Sequence, residues 1–185
     1  MVSPAERYTR FQDIPQFTRD GNYAVNVSWR FLENTLRDWA EGQGMDMDPD
    51  YQREHVWTEE QQVAYCEFIL RGGKSGRDIR WNCPSWQHRG AKGPIELVDG
   101  KQRLTAVRRF LTDGIRVFGS LCSEFGDQPD FIRHSFVFIV NDLQTRAEVL
   151  DWYLGLNAGG TPHTPEEIAR VRAMLREELK KEERA

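Results

Sequence analysis

The segment Ile95-Glu96-Leu97-Val98-Asp99-Gly100-Lys101-Gln102-Arg103-Leu104-Thr105 restricts the fold more than any other. Strand character over Ile95–Val98 runs into Asp-Gly, and helical spacing through Leu104, Val107 and Leu111 begins at once. The first amides of a helix have no partner within it and carry about half a positive charge, so an anion is stabilised there without help from any side chain. Gly100 lets a phosphate approach the backbone closely. Lys101 and Arg103 add two cations within one turn, and Gln102 adds a neutral donor. Asp99 is the odd member. A carboxylate beside phosphate makes sense if it holds a Mg²⁺ bridging to phosphate oxygens, or if it orients an attacking water or hydroxyl. A solvated turn, with Asp99 as N-cap and Arg103 in a surface ion pair, accounts for the local pattern as well.

The rest of the chain alternates short strands with helices. Residues 1–26 are polar and aromatic by turns and read as an extended N-terminal arm; residues 27–185 read as one domain. A helix is expected over Val27–Ala40, capped by Ser28 and ended by Glu41-Gly42-Gln43-Gly44. Thr58-Glu59-Glu60-Gln61 is a capping box that opens a second helix, closed by Gly72-Gly73. Asp78–Asn82, Ile95–Val98, Ile115–Phe118 and Phe136–Val140 are strand candidates. Thr145-Arg146-Ala147-Glu148 opens a helix reaching about Leu156, and Thr164-Pro165-Glu166-Glu167 opens the last one, with Pro at its first position. Ile168, Val171, Leu175 and Leu179 form that helix's apolar stripe, suited to docking on the domain or on a second copy. The pattern is α+β, a small mixed sheet flanked by helices with a helix at the C-terminus.

Composition narrows the function. The 185 residues carry a formal net charge of −4, so nucleic-acid binding needs a local basic patch. Three cysteines, Cys66, Cys83 and Cys122, form no C-x-x-C pair and point to a reducing compartment without a disulfide framework. No apolar run is long enough for a membrane span and no leader is evident, which places the protein in the cytoplasm. Trp57, beside its helix start, is expected in the core. Trp86-Gln87-His88-Arg89-Gly90-Ala91-Lys92 is the best basic and aromatic patch for touching a nucleic-acid backbone or base, though an exposed hairpin-like loop is the plainer reading and the one preferred. Cys83 and His88 lack a second ligand pair, and His55, beside Arg53, is a minor candidate for a general base.

Three segments together carry a resemblance. Asp99-Gly100-Lys101-Gln102-Arg103-Leu104-Thr105 is similar to the Asp-Gly-Gln-Gln-Arg-Leu-Thr signature of the N-terminal domains of GmrSD-type modification-dependent restriction enzymes, within the ParB/sulfiredoxin-like superfamily. Tyr51-Gln52-Arg53-Glu54-His55-Val56-Trp57 resembles the upstream Gln-Arg-x-x-x-Trp segment. Asn157-Ala158-Gly159-Gly160-Thr161-Pro162-His163-Thr164-Pro165-Glu166-Glu167-Ile168 resembles the downstream Asn-x-Gly-Gly segment. Lys101 stands where Gln is usual, and His163 where Leu is common. The resemblance covers roughly residues 45 to 175. It implies a ParB/sulfiredoxin-like fold and hydrolysis of an NTP, with Mg²⁺, linked to DNA restriction or phage defence.

Carried over by position, Asp99 and Arg103 are the catalytic candidates, with Asp99 also the metal ligand. Gly100, Lys101, Gln102, Gln52, Arg53 and Asn157 are the nucleotide-binding candidates. Arg53 is the better second phosphate contact, since its fork binds bidentately, and Asn157 suits ending a helix. The large enzymes continue into an HNH-type nuclease domain that these residues lack, so nuclease activity by that route is not expected of this polypeptide. A hydroxyl acceptor would make the same site a kinase. The partners expected are a nucleotide first, then DNA, a partner nuclease or host protein, and a second copy of the chain. Two other readings stand beside this one: a DNA-binding or DNA-nicking module without NTP turnover, and a catalytically silent interaction protein.

Overall fold

Among the described residues four strands form one mixed sheet in the order β1-β4-β2-β3. β1 is Tyr23–Ser28, β2 Asp78–Asn82, β3 Glu96–Asp99 and β4 Ser135–Asn141. The computed structural model describes residues 9–10, 23–54, 56–86, 93–127, 131–156 and 164–184. β1 runs antiparallel to β4, β4 parallel to β2, and β2 antiparallel to β3. Five α-helices are present among the described residues: α1 Leu32–Gln43, α2 Glu59–Leu70, α3 Lys101–Leu111, α4 Arg146–Leu156 and α5 Pro165–Glu182. The chain is therefore α+β with a C-terminal helix.

β4 is central because its sequence tolerates burial: Phe136, Phe138 and Val140 alternate into the main core, and Val137 and Ile139 are half-buried on the other face. The main core adds Ile79 and Trp81 of β2, Leu97 of β3, and the inner faces of α1, α2 and α3. A second core forms around Val98 of β3 with Tyr51, Leu143, Leu150 and Tyr153 of α4, and Val171 of α5. Consecutive residues of one short strand, Leu97 and Val98, thus anchor opposite cores. The capping boxes at Thr58 and Thr164 close as expected, and Thr145 and Glu148 exchange the same pair of bonds at the start of α4.

Two expected elements differ. The helix expected from Val27 begins only at Leu32, since β1 takes Tyr23–Ser28 and a 3₁₀ turn takes Trp29–Phe31. Val25 and Val27 alternate inward as strand residues do. The Ser28 hydroxyl both caps the short turn, accepting from Arg30 N–H at 3.3 Å, and donates to the Phe131 carbonyl at 2.8 Å. The strand expected over Ile115–Phe118 is absent from the sheet. Val117 and Ser120 instead exchange backbone bonds of 2.9 and 3.1 Å around Phe118 and Gly119, both at positive φ. Phe118 tolerates this because its N–H donates to Glu67 of α2 and the Arg71 guanidinium lies 5.1 Å above its ring. Ile115 and Val117 remain buried, which is what their apolar character recorded.

Candidate functional site

β3 passes into α3 at Gly100, whose φ of +106° only glycine adopts cheaply. A Cβ there would stand 2.6 Å from Ile79 Cδ1 and 3.2 Å from Ile79 Cα, so the turn is pressed onto the β2 backbone. No side chain caps α3. Asp99 does not serve as its N-cap.

The first turn of α3 divides its side chains between two sides. Lys101 and Gln102 reach back to the segment carrying Gln52 and Arg53. Lys101 Nζ donates to the Arg53 carbonyl at 3.1 Å and pairs with Asp48. Gln102 is 8% exposed. Its Oε1 accepts from Val56 N–H at 2.9 Å and Trp57 N–H at 3.1 Å, and its Nε2 donates to the Glu54 carbonyl at 3.2 Å. Gln52 Nε2 donates to the carbonyls of Leu97 and Val98 at 2.8 and 2.9 Å. Arg170 of α5 closes the assembly, donating to the carbonyls of Asp50, Tyr51 and Gln52. The first two sequence motifs are therefore packed on each other, and the helix after the third clamps the first. Asn157 and His55 lie outside the described residues, as does the basic patch beyond Trp86. Trp86 itself packs on Trp39 and Tyr23, and Trp57 packs on Tyr65.

Asp99 and Arg103 face the other way, over β2. Arg103 Nη2 donates to Asp99 Oδ2 at 2.7 Å, and Arg80 Nη1 lies 3.7 Å from the same oxygen. Arg80 Nη2 is 3.4 Å from Asp78. Among the described residues Asp99 Oδ1 makes no hydrogen bond. Tyr65 borders the cluster; burial pushes its hydroxyl well above the ordinary phenol range while Arg103 and Arg77 oppose the shift, and it donates to the Gly76 carbonyl at 2.7 Å. Asp78 and Arg80 belong to no motif. Their one signal is charge at alternate positions of a strand whose neighbours, Ile79 and Trp81, are apolar.

Magnitudes separate the two sides. A partly exposed i,i+4 ion pair contributes about 0.3–0.5 kcal/mol, so stability hardly explains Asp99 with Arg103. Gln102 and Gln52, by contrast, each make more than one bond to the backbone of another segment, and a typical bond of this kind contributes about 0.5–1.5 kcal/mol net. Lys101, Gln102, Gln52 and Gly100 build the turn, whereas Asp99, Arg103 and Arg80 pair with one another and with Asp78 on the face over β2.

The donor set around Asp99 does not by itself fit a divalent cation. Its carboxylate is shared between two guanidinium groups, and no group of three His, Cys, Asp or Glu that could hold a metal is gathered among the described residues. Among the described residues two concavities lie elsewhere: about 410 Å³ between the end of β4 and α4, lined by Asn141, Leu143 and Trp152, and about 500 Å³ along β1, lined by Tyr23, Phe31 and Trp39. Neither includes the Asp99 turn. A polar anion held by charge needs no deep apolar cavity, so the chemistry of the turn weighs more than these volumes. No helix among the described residues is long and apolar enough to cross a membrane.

No curated protein and no solved structure is significantly similar to the chain. Residues 34–130, more than half of the chain, match the family model described as GmrSD restriction endonuclease, N-terminal domain. The match takes in most of α1 and all of α2, β2, β3 and α3, with the first two motifs, and leaves the Asn157 segment outside it. The chain belongs to the family of GmrSD restriction endonuclease N-terminal domains.

Proposed function

We propose that this protein is a nucleotide-binding module that hydrolyses an NTP or transfers its phosphoryl group in the service of DNA restriction or phage defence. The observation that carries the reading is the Asp99–Arg103 turn, where α3 starts without a side-chain cap and Arg103 and Arg80 converge on Asp99 while the neighbouring side chains are engaged in holding the turn. The family supports the restriction or phage-defence setting. A ParB/sulfiredoxin-like arrangement is part of the same proposal.

In this reading the amides at the start of α3 and the guanidinium of Arg103 hold phosphate oxygens. Gly100 lets the chain turn at positive φ against the β2 backbone, so that α3 can start where it does. Arg103 fixes Asp99 through Oδ2, leaving Oδ1 to accept a hydrogen bond from an attacking water or hydroxyl. Lys101 and Gln102 act through position, keeping Gln52 and Arg53 against the turn. Mg²⁺ would neutralise phosphate charge when it arrives with the nucleotide, and no step of this account is routed through it.

Thermal shift with each of the four NTPs, with and without Mg²⁺, tests the proposal. A ligand at about a hundred times its Kd adds about 2.7 kcal/mol of stability, which is about 5–10 °C in a chain of this size. The shift should vanish in folded Asp99→Asn and Arg103→Gln variants. A folded wild type that no NTP stabilises at millimolar concentration contradicts the reading. Binding of duplex DNA with a steep salt dependence and no nucleotide effect would replace it with a DNA-binding role.

A further inference from the structure

Arg80 lies outside every sequence motif, yet β2 delivers its guanidinium to the same carboxylate oxygen that Arg103 holds. The Arg80 side chain is 23% exposed, and its contacts to Asp78 and Asp99, at 3.4 and 3.7 Å, are looser than good hydrogen bonds. Its Nε is buried with no partner, and so is the Nε of Arg103. The Nε atoms are closed off, so what the pair offers a ligand is its Nη groups, which Arg80 engages only loosely. Arg77, next to Asp78 in the chain, adds a third cation, although its Nε and Nη2 are engaged by Ser135. Arg80 and Arg103 share one Asp99 oxygen, and Arg77 is near enough to act on Tyr65 as Arg103 does, on a chain of net charge −4. Planar forks converging on one point suit a ligand that offers several anionic oxygens.

Resting on the nucleotide reading above, we propose that Arg80 is a second phosphate-binding residue, and that Arg80 and Arg103 together grip the polyphosphate tail of the nucleotide. In the free protein Asp99 lies between the two cations and limits their repulsion. Bound phosphate takes over the second arginine, while Arg103 stays on Asp99.

Titration calorimetry with the NTPs and with inorganic tripolyphosphate tests this on wild type, Arg80→Gln, Arg80→Lys and Arg116→Gln. The last removes the same charge from an arginine that pairs with Glu124 away from the site. Tripolyphosphate should bind wild type and compete with the NTP. Arg80→Gln should weaken both about tenfold or more, the worth of one charge-assisted contact. Arg80→Lys, which keeps the charge and loses the fork, should fall between, and it carries the test if the Gln variant does not fold. Arg116→Gln should bind as wild type does. Unchanged affinity in folded Arg80→Gln overturns the role of Arg80 and leaves the nucleotide reading standing. An equal loss in Arg116→Gln reduces the effect to net charge and overturns it too. NTP binding without tripolyphosphate competition overturns recognition of the tail. A wild type that binds neither probe defeats the nucleotide reading itself.

Discussion

Behind Gly100 stands the backbone of Ile79, and that contact sets what the position tolerates. Gly100→Ala should cost about 1–3 kcal/mol for the left-handed backbone alone, with the collision at Ile79 adding to it, read as a lower urea midpoint at unchanged slope. Gln102 gives a different residue-scale prediction. Gln102→Leu is close in volume but removes the bonds that the amides of Val56 and Trp57 make to Oε1, so about 1–3 kcal/mol should be lost. Gln102→Glu keeps both acceptor bonds but buries a charge and sets a carboxylate oxygen against the Glu54 carbonyl. Its loss should therefore grow as pH rises through the carboxyl's range, whereas that of Gln102→Leu should stay level. Equal losses in the two variants at every pH would contradict this placement of the side chain.

At the scale of elements, α5 is held by few buried groups. Val171 is its buried apolar residue, Arg170 reaches three carbonyls of the 50–52 turn, and Leu179 is 45% exposed. Val171→Ala should cost about 2 kcal/mol and speed amide exchange in α5 before α3. Uniform acceleration across both helices would mean that α5 opens only with the whole domain. Such helices were the most legible part of the sequence, because a Thr three residues before Gln or Glu states a helix start in local chemistry. The Phe118-Gly119 turn was not legible: Ile115 and Val117 look alike in a strand and in a buried turn, and the contacts of Phe118 with Glu67 and Arg71 are long-range. For the same reason the sequence identified Asp99 and Arg103 by motif, while Arg80 needed the pairing of β2 with β3 to bring it there.

Across the whole molecule, the two cores meet through β3 and the Tyr51 turn, where Glu96 is partly buried. Burial raises the Glu96 carboxyl above its ordinary range against the lowering effect of the Tyr51 hydroxyl, which donates to it at 3.2 Å. A carboxyl with a raised folded pKa binds more protons folded than unfolded between the two values. Its contribution to stability is therefore present at low pH and lost as pH rises through the folded value. Glu96→Gln keeps an acceptor for Tyr51 and removes the titration. The variant should gain on wild type between about pH 4 and pH 7, and parallel stability curves would contradict the assignment.

The central claim is that the Asp99–Arg103 turn holds nucleotide phosphates. The most direct measurement is an amide-resolved NMR titration with the NTP that gives the largest thermal shift. The account predicts that the backbone signals of Gly100, Lys101, Gln102 and Arg103, with Arg80 across β2, move first and saturate together. Shifts confined to the β1 groove or to the cleft beside α4, with the turn unmoved, would contradict it.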